Sequence, residues 1–267
     1  MKEVIVVKIG GSIFQDKYTT VEDLVLLGKR GRPLIVVHGG ANLVTAWTDR
    51  LGMKTAFLDG ERITNRETLE VVTAVLAGLV NKEIVAAILA GGGLAVGISG
   101  ADGGLIQGRV RSPETGYLGD VVKVEPEVLL HLLRANMMPV VAPVSLLKVG
   151  RQDSDPLLLN INGDTVAGEI AYAIRAKKLI FLTDVDGVRD RHGSLMRDVL
   201  SVDLAGLIES GVASGGMVPK LKACLRAAGG GVTCVIANGK KPHALFECVE
   251  GEGCGTIIKG ESIGRLA

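Results

Sequence analysis

Three charged side chains in this sequence are of the types needed to move a phosphoryl group: Lys8, Asp164 and Lys220. Two ammonium groups can neutralise the equatorial oxygens of a phosphoryl in transit, and a carboxylate between them holds both in place. Lys8 follows the β-branched run V-I-V-V and precedes Ile9, Gly10, Gly11 and Ser12. The run reads as a strand buried on both faces. A charged amine at its end is costly unless something anionic meets it. Adjacent glycines leave backbone N–H groups bare, which makes a concavity for anions. Taken alone, the stretch also suits a snorkelling lysine before an ordinary turn. Asp164 closes N-I-N-G-D ahead of an apolar helix, where each polar group could equally be a cap. Lys220 ends S-G-G-M-V-P-K at the opening of another helix.

Other chemistries are excluded by what is missing. Gly28-Lys29 and Gly239-Lys240 lack the upstream glycine of a Walker A loop. Neither H-R-D nor D-F-G is present, and the G-x-S-x-G elbow fails at Ala101. Four cysteines without a C-x-x-C pair and four histidines predict no metal cage, and reduced, buried thiols in a cytoplasmic protein. Thirty basic against 29 acidic residues give a net charge of +1 and no field for nucleic acid or an anionic membrane. Residues 84–101 lack charge but are broken by Gly91-Gly92-Gly93, so no membrane span is expected there. The apolar run near Met1 is too short for a signal peptide.

The elements that must position these residues alternate between strand and helix. Strands are expected at 34–37, 94–98, 140–144, 179–183 and 233–237, and helices at 21–27, 43–51, 67–89 and 126–135. Two further helices follow Asp164, reaching 174, and Met217, reaching 228. The strand at 34–37 runs into His38-Gly39-Gly40-Ala41-Asn42, a second strand–glycine–helix junction aiming backbone donors at the tip of a sheet. Arg62 is expected in a loop before the capping box Thr64-Asn65-Arg66-Glu67, where a guanidinium beside a helix N-terminus suits a carboxylate. Residues 105–124 read as a small antiparallel excursion, and 146–155 as the boundary between lobes at 1–150 and 151–267. The pattern predicts a three-layer αβα sandwich with a mostly parallel central sheet.

The chain resembles the amino acid kinase family nearly end to end. The resemblance is carried, in family order, by V-V-K-I-G-G-S, V-V-H-G-G, G-E-R-I-T, V-L-A-G-L-V-N-K-E-I-V, G-I-S-G-A-D-G, N-I-N-G-D-T, L-T-D-V-D-G-V, G-G-M-V-P-K-L-K-A and G-T-I-I. It implies an acidic amino-acid substrate on the first lobe and ATP with Mg²⁺ on the second, the ion held mainly by phosphate oxygens. It further implies attack of the side-chain carboxylate of N-acetyl-L-glutamate on the γ-phosphate, a step of arginine biosynthesis. On this resemblance Lys8 and Lys220 are the transition-state cations and Asp164 their organiser. Gly10, Gly11 and Gly40 offer N–H groups to phosphate, Gly40 also borders the substrate, Arg62 and Asn160 take its α-carboxylate side, and Asp184 meets the nucleotide.

Three positions depart from the family pattern: Ala41 for a third glycine, Glu61 for an apolar residue and Asn65 for an aspartate. They bear on substrate identity more than on the transfer itself. N-I-N-G-D also resembles kinases acting on aminoadipate or glutamate linked to a carrier protein. A sensor of the same fold without turnover is a third reading, opposed by the intact lysines and aspartate. Arginine-inhibited members are generally hexamers with an extra helix before the first strand. A strand starting by Val4 leaves none here, so a cytoplasmic homodimer without arginine feedback is expected.

Overall fold

The computed structural model describes residues 3–11, 18–58, 60–251 and 254–260. Ser12, the last residue of the opening motif, lies outside them. β1 (Ile5–Ile9) is buried along its whole length and forms the centre of an eight-stranded sheet. It pairs in parallel with β2 (Leu34–His38) on one side and with the later strand Lys178–Thr183 on the other. Beyond β2 come Met138–Ala142 and Ala95–Ser99, again parallel. On the other side lie Thr233–Asn238, Thr256–Lys259 and Asp198–Leu200, and only the pairing between the first two of these is antiparallel. Runs rich in β-branched residues account for the strands buried on both faces, which are β1, β2, Met138–Ala142 and most of Lys178–Thr183.

The pleat divides the core in two. Val4 and Val6 lie in one apolar cluster, Ile5, Val7 and Ile9 in the other. Into the second pack α1 (Tyr18–Lys29) and a continuous helical run at 66–90, preceded by α2 (Ala41–Arg50), β3 (Phe57–Leu58) and β4 (Glu61–Arg62). That run is α3 (Arg66–Thr73), a π-helical turn (Ala74–Val80) and α4 (Asn81–Ala90). It has the length and hydropathy of a membrane span, yet Leu69, Val72, Val75, Leu76, Val80, Ile84 and Ile88 are buried. The capping box is corrected: Asn65 Oδ1 accepts from Thr68 N at 2.8 Å, whereas the Thr64 hydroxyl donates to Arg62 O. The π turn had no signal in the apolar period, because it widens one turn without changing which residues are apolar.

The remaining strands are β5 (Ala95–Ser99), β6 (Ile106–Val110), β7 (Leu118–Val124), β8 (Met138–Ala142), β9 (Val144–Leu147), β10 (Leu158–Ile161), β11 (Lys178–Thr183), β12 (Asp198–Leu200), β13 (Thr233–Asn238) and β14 (Thr256–Lys259). The expected single strand at 140–144 is split at Pro143, which cannot donate to a ladder. β9 therefore leaves the sheet and joins β6, β7 and β10 in a closed four-stranded barrel. The antiparallel excursion is the β6–β7 half of that barrel. β10, beyond residue 150, pairs with β7 and β9 before it, and the main sheet runs unbroken through both halves. Helices α5 (Glu127–Arg134), α6 (Gly163–Ala173), α7 (Leu204–Glu209), α8 (Met217–Ala228) and α9 (Ala244–Glu250) complete the layers.

The thiols are not all reduced. Cys224 and Cys234 are free and buried, but Cys248 and Cys254 form a disulfide with Cα atoms 5.2 Å apart. The two are six residues apart, Cys248 within α9 and Cys254 just before β14.

Candidate active site

Period-two alternation along β1 puts Lys8 on the same face as Val4 and Val6, towards α6 and α8. Asn162 caps α6, its Oδ1 accepting from Asp164 N at 2.8 Å, so Asp164 stands in the first turn. Lys220 stands in the first turn of α8. Lys8 Nζ lies 2.7 Å from Asp164 Oδ1, and Lys220 Nζ lies 3.1 Å from Asp164 Oδ2. Lys220 Nζ also donates to Gly216 O at 3.1 Å. The three residues gathered from 8, 164 and 220 are thus one bridged cluster. Burial would raise the Asp164 pKa, but the two ammonium groups outweigh it and hold the carboxyl below its ordinary value. The distance between α6 and α8 is set at Gly168, where a Cβ would come within 2.9 Å of the Ala223 backbone.

The two glycine junctions pack backbone against backbone. A Cβ on Gly11 would sit 3.2 Å from both Cα and N of Gly40, and one on Gly39 would sit 3.4 Å from Gly11 N and 3.7 Å from Lys8 Nζ. The backbone nitrogens of Gly11, Gly40 and Ala41 lie within 3.6 Å of these two positions. Gly40 has φ 152°, and a side chain there would run into Leu76. Gly10 differs from its neighbours: its N–H donates to Leu182 O at 3.1 Å, so it shapes the loop and has no donor left for phosphate. His38 anchors the second junction from behind. Its Nδ1 donates to Gly39 O at 2.9 Å and its Nε2 accepts from Asn81 Nδ2 at 3.2 Å. Burial pushes its pKa down to about 4, so the ring is neutral and structural.

Arg62 is in β4 rather than in a loop, and it is buried. Nη2 donates to Ala41 O at 3.1 Å and Thr45 Oγ1 at 2.6 Å, and the guanidinium lies 5.0 Å from the Phe57 ring centroid. Its Nη1 is buried with no hydrogen-bond partner among the described residues. A buried guanidinium nitrogen without an acceptor is expensive, and a carboxylate is the natural one to complete it. Asn160 lies in β10 and donates from Nδ2 to Thr64 Oγ1 at 3.0 Å. Asp184 follows β11, exposed, with Thr183 Oγ1 3.2 Å from its Oδ1.

All nine expected residues, Lys8, Gly10, Gly11, Gly40, Arg62, Asn160, Asp164, Asp184 and Lys220, line one cleft of about 440 Å³. Asn162, Asn81, Thr45 and Gly168 support it without having been singled out in the sequence. Only Asn162 had a local signal, as an Asn preceding a helix; the others act through contacts distant in the chain.

The profile of the amino acid kinase family matches residues 3–238. An acetylglutamate kinase of Dehalococcoides mccartyi (strain CBDB1) is 47% identical over 262 residues, covering 98% of this chain and 96% of that protein. One from Heliobacterium modesticaldum is 42% identical over 274 residues, covering 95% and 91%. The solved structure of smu.665 from Streptococcus mutans UA159 shares the fold, with TM-score 0.82 at 24% identity over 97% of this chain and 99% of that one. The chain belongs to the amino acid kinase family.

Proposed function

We propose that the chain is a carboxyl-group phosphotransferase making N-acetyl-L-glutamyl phosphate from N-acetyl-L-glutamate and ATP, in arginine biosynthesis. The observation that carries this is the Lys8–Asp164–Lys220 cluster sharing one cleft with a buried guanidinium that lacks an acceptor. Relatives at 47% and 42% identity bear the name of that activity, and none of these names supports a carrier-linked substrate.

In this reading Arg62 Nη1 takes the α-carboxylate, with Asn160 beside it, and the side-chain carboxylate points to the nucleotide. One of its oxygens attacks the γ-phosphorus, the bond from that phosphorus to the β–γ bridging oxygen breaks, and ADP leaves with the electron pair. The nucleophile is already an anion near neutral pH, so no general base is required. Lys8 and Lys220 neutralise the oxygens of the moving group, and the N–H groups of Gly11, Gly40 and Ala41 receive phosphate. Catalysis is then positioning plus charge neutralisation.

No cluster of three acidic, histidine or cysteine side chains able to hold a metal occurs among the described residues. A divalent ion would arrive on the nucleotide, held by phosphate oxygens. The first lobe would carry the amino acid and the second the nucleotide, near Asp184. We also read the protein as a cytoplasmic homodimer. The apolar strip of Trp47, Leu51, Val71, Ala74 and Leu79, running from the end of α2 across α3 and the π-helical turn, supports a subunit contact.

ADP release dependent on N-acetyl-L-glutamate, with hydroxylamine trapping of the acyl phosphate, tests the reaction. Release without a trapped hydroxamate would overturn the acceptor assignment. A chromatographic mass other than two subunits would overturn the dimer.

A further inference from the structure

Glu61 puts a carboxylate into the wall of a cleft meant for an acid, one residue before Arg62. Both of its oxygens are engaged. Oε1 accepts from Asn162 Nδ2 at 3.0 Å, and Oε2 pairs with Arg111. Arg111, just past β6, donates from Nε to Asp120 Oδ1 in β7 at 2.8 Å, so the outer anchor is the barrel. Asn162 is the cap of α6, bonded to Asp164 N. One side chain therefore joins the β3–β4 hairpin, the barrel and the cap of the helix that bears Asp164.

The hairpin needs such a tie. Its strands are two residues each, with Phe57 and Leu58 exposed, and a ribbon of that size has no stability of its own. Arg62 rides on it, so the position of the guanidinium relative to Asp164 depends on how the hairpin is held.

We propose that Glu61 is a positioning residue that clamps this hairpin to the α6 cap and the barrel. The clamp sets the span between the site of the substrate's α-carboxylate and the site of phosphoryl transfer. Arg111 has a second part in it: by neutralising Glu61 it keeps the cleft wall from repelling an acidic substrate. The inference rests on the reading above that Arg62 receives the α-carboxylate.

Amide hydrogen exchange of the substrate-free protein tests the clamp directly. In Glu61→Leu, exchange in the peptide containing Phe57 to Arg62 should rise at least tenfold over the parent. Steady-state kinetics test its purpose. Glu61→Leu should raise KM for N-acetyl-L-glutamate about tenfold, with KM for ATP within twofold of the parent. Arg111→Met alone should raise the former further, because an unpaired carboxylate then faces the substrate. The double variant should fall back to the level of Glu61→Leu. Glu61→Gln keeps the Asn162 bond and should recover part of the loss, and it replaces the leucine variant if thermal melting shows that one unfolded. Unchanged hairpin exchange, an unchanged KM for N-acetyl-L-glutamate, or additive effects in the double variant would each overturn the proposal. If the parent releases no ADP with N-acetyl-L-glutamate, the substrate assignment falls, and the exchange measurement still decides the clamp.

Discussion

The two ends of the cleft handle charge in opposite ways. At the transfer end Lys8, Asp164 and Lys220 balance one another's charge, with Asp164 in ion pairs to both amines. At the substrate end Arg62 is fixed by two acceptors and an aromatic face but keeps Nη1 unpaired. A cluster that is complete before any ligand arrives costs no reorganisation when charge develops, which is what transition-state stabilisation requires. A buried donor left open is instead paid back only when the right anion binds, which is how a site selects. The transfer end should therefore govern kcat, and the substrate end KM.

Asp164→Asn is the strongest challenge to the first half of that contrast. It leaves two part-buried ammonium groups without their anion, a loss of about 4 kcal/mol by analogy with broken buried pairs. A thousandfold fall in kcat is expected, with KM for ATP unchanged or lower; a fall under tenfold would mean the cluster is not the transfer site. Next comes acid stability of the wall the two ends share. In the folded chain His38 stays neutral down to about pH 4, whereas an exposed histidine takes its proton near 6.5. As pH falls the unfolded chain binds that proton first, so stability is whole above about 6.5 and drains towards 4, by roughly 3 kcal/mol. Urea unfolding at pH 7 and pH 4.5 should show this loss in the parent and much less of it in His38→Gln. The Asp164 carboxyl, held below its ordinary value, contributes its own loss only at lower pH.

Lys220→Ala should lower kcat about a hundredfold, near 2.7 kcal/mol, with KM for N-acetyl-L-glutamate little changed; a loss below tenfold would remove its assigned role. Arg62→Met should do the reverse, raising KM for N-acetyl-L-glutamate roughly tenfold or more while kcat stays within about threefold. Equal effects of the two variants on kcat would erase the division between the ends. Gly168→Ala is the mildest. Its methyl group would push α8 away from α6 and lengthen the Asp164–Lys220 contact, for a fall in kcat of about threefold without change in either KM.

Much of the fold was legible because its signals are local. The β-branched run at 4–7, the glycines that follow it and the Asn–Gly–Asp turn into α6 each state their conformation within a few residues. The barrel closed by β10 was not legible, since it depends on pairing between segments far apart in sequence, and the Cys248–Cys254 bridge, although only six residues long, carries no C-x-x-C signal. The site divides in the same way. Residue type alone nominated Lys8, Asp164, Lys220 and Arg62, because only certain side chains can do this chemistry.

Whether a nominated group is free to act was decided in three dimensions. Gly10 and Gly11 are identical side by side, yet the N–H of the first is bonded to Leu182 O while the second packs its bare Cα against the backbone of Gly40. Glu61 reads as an obstacle to an acidic ligand until Arg111 and Asn162 are seen against it. Composition and order fixed which groups are present. Hydrogen-bond partners and distances, which exist only once the chain is packed, determined which of them remain available.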